Sequence, residues 1–64
     1  MNEKLKKFTE LCLESRTKGL TEEKHLEKKK LADELVEEGL MINKNNQYEF
    51  INAEDMDYFL NKQK

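Results

Sequence analysis

The 64-residue chain contains no proline and no tryptophan, and only one cysteine, one histidine and two glycines. Each scarcity excludes something. A lone Cys12 forms no internal disulfide, so the stapling on which small secreted domains rely is absent and a reducing compartment is expected. One histidine and one cysteine give almost no material for a metal centre or a nucleophile–base pair. No glycine-rich phosphate loop occurs, and no apolar run is long enough for a membrane span or a signal sequence, which points to a cytoplasmic setting. With proline missing and no repeat or low-complexity tract present, Gly19 and Gly39 are left as the natural stops for helices.

What the chain does have is charge. Charged residues make up 41% and apolar residues 36%, while 12 Lys+Arg nearly cancel 14 Asp+Glu to a net charge of −2. A chain of this size buries only roughly 60% of the surface its unfolded form exposes. The apolar residues are nevertheless spaced regularly, so residues 1–64 read as one small folded domain with a thin core rather than a disordered segment.

The spacing predicts an α+β fold, mostly α: an antiparallel two-helix hairpin, then a two-stranded β-hairpin and a short C-terminal helix. Leu5, Phe8, Leu11 and Cys12 recur at helical intervals and place a first helix at about residues 3–17, ended by Gly19. Thr21 offers a cap and Glu22 and Glu23 put negative charge in the first turn of a second helix, about 22–38. Its core stripe is Leu31, Ala32, Leu35 and Val36, with Lys24, His25 and Lys28 continuing that face toward solvent. From about 40 to 51 the period becomes alternating around an Asn-rich turn. A three-residue loop Lys44-Asn45-Asn46 would pair Ile42 with Tyr48 and Leu40 with Phe50, gathering four apolar side chains on one face. A two-residue Asn45-Asn46 loop would oppose Ile42 to Glu49 instead, and the first register is the preferred one. Asn52 then caps a third helix, about 53–61, with Ile51 and Met56 at the positions of a hydrophobic staple. Met56, Phe59 and Leu60 form its apolar edge, and the terminal Asn61-Lys62-Gln63-Lys64 is expected to fray.

Over residues 8–35 the string "FTELCLESRTKGLTEEKHLEKKKLADEL" resembles the YnzC-like family of short bacterial helical-hairpin proteins. The resemblance lies in Phe8, Glu10 and Leu11 of the first helix, in Thr21, Glu22 and Glu23 opening the second, and in Glu27, Leu31 and Glu34 after them. It implies a small cytoplasmic bacterial protein with an antiparallel helical hairpin, from a family without an established biochemical activity. The segment after Gly39 departs from the family pattern.

The chemistry-bearing residues argue against an enzyme and against any cofactor. His25 lies one turn from Glu22, but two ligands fall short of a metal site. Glu54, Asp55 and Asp57 lack the central glycine and ligand spacing of a calcium loop and are explained by the positive pole of the third helix. Binding to another protein, or to a second copy, is the expected activity, suiting a small regulatory protein of phage or low-GC bacterial origin. Leu13, Leu26, Met41 and Tyr58 fall off the assigned stripes and are its candidate interface. The alternative is a minimal winged-helix-like DNA-binding regulator using Lys24, Lys28, Lys29 and Lys44. Against it, residues 21–39 hold four Lys against six Glu and one Asp, a net of −3 where phosphate contacts would be needed.

Overall fold

Residues 2–63 are described by a computed structural model, and Met1 and Lys64 lie outside them. Five elements follow in the expected order: α1 (Glu3–Thr17), α2 (Glu22–Glu37), β1 (Met41–Lys44), β2 (Gln47–Phe50) and α3 (Ala53–Lys62). The fold is α+β and mostly helical. No helix among the described residues is long and apolar enough to cross a membrane.

Each helix begins on a side chain that satisfies otherwise unpaired backbone donors. The Asn2 side-chain oxygen accepts from the Lys4 and Leu5 N–H groups, at 2.8 and 3.3 Å. Thr21 accepts from Lys24 N–H at 3.3 Å and Asn52 from Glu54 N–H at 2.8 Å, as their positions in the sequence suggest. Both glycines are in the left-handed region, with φ of +81°. At the end of α2 the Gly39 N–H returns to the Val36 carbonyl at 3.1 Å and the Leu40 N–H to the Leu35 carbonyl at 2.9 Å, a Schellman stop that turns the chain into β1.

The two long helices are antiparallel, and ion pairs tie both ends. Lys4 at the start of α1 meets Glu38 at the end of α2 at 2.8 Å, while Glu14 late in α1 accepts from Lys24 in the first turn of α2 at 2.6 Å. Between them lies one cluster of buried residues: Leu5, Phe8, Leu11 and Cys12 from α1, Leu31, Ala32 and Leu35 from α2, and Met41 from β1. Thr9 is also fully buried, and its hydroxyl donates to the Leu5 carbonyl at 2.7 Å, so its polar atom is satisfied.

The β-hairpin takes the register that was not preferred. Asn45 and Asn46 form a two-residue turn with φ of 53° and 67°, the double positive φ of a type I′ turn. Ile42 therefore opposes Glu49, and Met41 opposes Phe50. The type I′ turn matches the natural twist of the two strands, and the resulting one-residue slip exchanges the faces of β1. Met41 rather than Ile42 points into the core, and Ile42 is left exposed.

Helix α3 rests on α1 and β2 through one aromatic chain. The Phe59 ring lies 6.1 Å from that of Phe8, nearly parallel, and 5.1 Å from that of Phe50. Gln63 does not fray: its side-chain amide donates to the Thr9 carbonyl at 3.2 Å, and Arg16 donates to both Gln63 oxygens at 3.3 Å. The staple and apolar-edge residues of this region are not buried. Ile51, Met56 and Leu60 are 58%, 43% and 50% exposed, and no residue of α3 is fully buried.

Candidate functional site

Two neighbouring concavities share one wall, the half-buried Tyr48. Alternation along β2 sends Tyr48 and Phe50 to the inner face of the hairpin, where both pack against the core. The Tyr48 hydroxyl donates to Asp33 of α2 and so holds its ring across the gap between hairpin and helix. That hydrogen bond, made to a carboxylate acceptor, raises the Tyr48 pKa above the usual phenol value, with a smaller contribution from burial.

On one side of Tyr48 a groove of about 380 Å³ opens over α1 and α2. Phe8, Cys12 and Ala32 form its floor, and the exposed His25 with Lys28 and Lys29 forms its basic rim. These three basic residues fall on one side of α2 because they are spaced three and four apart. Burial holds the Cys12 thiol above its ordinary pKa, and nearby Lys28 only partly counters this.

On the other side a concavity of about 440 Å³ runs between β2 and α3, with Phe50, Met56, Phe59 and Leu60 in its lining and Glu49 at its edge. Met56 and Leu60 lie one turn apart on α3, so both project from the same stripe. Helix α3 has the most strongly amphipathic sequence of the three helices, yet it buries no residue completely. Its apolar stripe is wider than the surface it covers.

The four residues singled out as an interface are not brought together. Met41 is in the core at 2% exposure, because the two-residue turn directs it inward. Leu13 is half-buried on α1 beside Glu10 and Thr17, and Leu26 stands 70% exposed on α2. Tyr58 is half-buried on α3 with the Lys62 ammonium 5.8 Å from its ring centre. The residues that do converge, Met56, Leu60, Phe50 and Tyr48, belong to the apolar edge of the third helix and the apolar face of the hairpin in the sequence reading, not to its candidate interface. The sequence signal for Met56 and Leu60 is the apolar edge they form with Phe59 on a short helix beside a thin core.

Of the four lysines considered for DNA, Lys28 and Lys29 share the groove rim and Lys24 is engaged by Glu14. Lys44 follows Asn43, the cross-strand partner of Tyr48, so its side chain leaves the opposite face of the hairpin. Among the described residues no group of three or more His, Cys, Asp or Glu side chains is placed to hold a metal ion. Comparison with protein families, curated proteins and solved structures finds no match to the chain.

Proposed function

We propose that this chain is a small protein-binding module, cytoplasmic and of bacterial or phage setting, that regulates or assists another protein and catalyses no reaction itself. The observation that carries this reading is the uncovered apolar stripe of α3. A helix anchored by Phe59 and Gln63 but presenting Met56 and Leu60 to solvent, next to the Phe50 and Tyr48 rings, offers the apolar centre that partner surfaces require. The resemblance of residues 8–35 to YnzC-like proteins supports the bacterial setting and the helical pair as scaffold. Under this reading the hairpin braces α3 against the helical pair.

The test is comparative capture from a bacterial lysate with three tagged proteins. Wild type and Leu26→Lys retain the same partner, whereas Met56→Lys/Leu60→Lys loses it. Retention by the double variant at the wild-type level overturns the assignment, and so does failure of wild type to retain any protein that Met56→Lys/Leu60→Lys does not. Leu26 is the control because, among the described residues, it is the most exposed large apolar side chain and lies on α2 rather than α3.

A further inference from the structure

The groove on the α2 side of Tyr48 differs from the α3 surface in charge, and that difference identifies what would enter it. Lys4, Lys7 and Lys24 each meet a carboxylate of the facing helix: Glu38, Glu27 and Glu14. Lys28 and Lys29 have no carboxylate within ion-pair distance among the described residues, although α2 is rich in Glu, and both line the groove. Two unpaired ammonium groups and an imidazole therefore stand over a floor of aromatic and aliphatic side chains.

We propose that this groove receives an acidic, apolar peptide segment of a partner protein, its carboxylates on Lys28 and Lys29 beside His25 and an apolar side chain against Phe8, Ala32 and the Tyr48 ring. This rests on the reading of the chain as a protein-binding module, and places the acidic flank of the partner on α2 while its apolar part reaches α3 past Tyr48. The volume of about 380 Å³ sits at the small end of ligand-sized cavities, enough for one large side chain and its neighbours. A nucleic acid fits the site poorly. Its affinity comes from many phosphates along an extended cationic surface, and here Glu22, Glu23, Glu27 and Asp33 on the same helix would repel a long polyanion. One or two carboxylates on a short segment need only the two lysines.

Cys12 gives the site its own reporter. It is the sole cysteine and, though only 9% exposed, forms part of the groove floor, so an occupant further slows its already slow alkylation. The probe is an end-labelled octapeptide with two glutamates and two leucines among serines, compared with a counterpart in which glutamine replaces each glutamate. In fluorescence anisotropy at 50 mM salt the acidic peptide binds, and at 200 mM its affinity falls severalfold. The glutamine counterpart and the Lys28→Glu/Lys29→Glu protein each weaken binding by about tenfold or more, and the acidic peptide slows Cys12 alkylation severalfold in wild type. Both lysines lie outside the core, so the charge-reversed protein keeps the wild-type urea midpoint; Lys28→Gln/Lys29→Gln serves as a milder second variant with an intermediate loss.

Equal binding of the two peptides, undiminished binding to the charge-reversed protein or an unshielded Cys12 each overturns the proposal. Tighter binding of a 12-base-pair duplex that itself shields Cys12 overturns it in favour of nucleic acid. A captured partner that needs Met56 and Leu60 but ignores Lys28→Glu/Lys29→Glu overturns the groove assignment alone. The absence of any such partner overturns the reading beneath it.

Discussion

Cys12 and Tyr48 line the same groove, and both hold their protons more tightly in the folded chain than free side chains do. Burial does this for the thiol; a hydrogen bond to Asp33 does it for the phenol. A group whose pKa is raised by folding contributes stability that is complete below its unfolded value and is lost as pH rises toward the folded one. The unfolded values are about 8.5 for a thiol and about 10 for a phenol, so the loss should begin with Cys12. The urea midpoint is accordingly expected to begin falling as pH rises above about 8.5, with Cys12→Val removing most of that early fall. A midpoint that rises there contradicts the assignment. Lys4 and Lys7, raised by hydrogen bonds to Glu38 and Glu27, add losses in the same direction only above about pH 10.4, well after that onset. The turn residues make a second prediction at this scale. Asn46 holds φ of 67°, a conformation that costs an L-residue about 1–2 kcal/mol and glycine nearly nothing. Asn46→Gly is therefore expected to stabilise the chain by up to about 1 kcal/mol in urea unfolding. A loss of stability would show that the Asn46 side chain contributes more than its backbone strain costs.

Among the elements, α3 has the weakest hold on the rest. It buries no residue fully and is fixed by the Phe59 ring between Phe8 and Phe50 and by Gln63 on Thr9 and Arg16. Few buried contacts imply local opening at low free energy, so its amides should exchange faster than those in the middle of α1. Gln63→Ala is expected to speed exchange across α3 severalfold while leaving α1 and α2 protected. Equal protection of all three helices would contradict this. The sequence disclosed the elements themselves because caps and stops act locally: Thr21, Asn52, Gly19 and Gly39 perform at their own positions the roles their chemistry suggests. The β-hairpin register was less legible. Counting apolar residues on one face favoured the three-residue loop, whereas the backbone preference of two consecutive Asn residues for positive φ decided for the type I′ turn. The candidate surface was hidden for a different reason. Met56 and Leu60 carry a core-like pattern, and only the space left by Phe8, Phe50 and Phe59 determines that they remain outside.

At the scale of the whole molecule, the apolar residues described comprise a buried core of eight, a half-buried layer around it that includes Tyr48, Phe50 and Phe59, and an exposed set that includes Met56 and Leu60. A chain of this length has a stability on the order of 3–10 kcal/mol, so a single core truncation is a large fraction of the total. Leu35 is 0% exposed in the middle of the cluster. Leu35→Ala is expected to cost about 2–5 kcal/mol, combining lost burial with the cavity left behind, and to leave a substantial unfolded population by circular dichroism at 25 °C. Met56→Lys/Leu60→Lys removes two apolar side chains of similar size from the surface. Because each is already about half exposed, at 43% and 50%, it should change unfolding free energy far less than Leu35→Ala does, by about 1 kcal/mol. The contrast separates a surface kept apolar for a partner from one that supports the fold. If the double lysine variant destabilises as severely as Leu35→Ala, then Met56 and Leu60 belong to the core in solution and α3 has no uncovered stripe to offer. If it folds like wild type and loses its partner, their exposed apolar surface serves binding rather than stability.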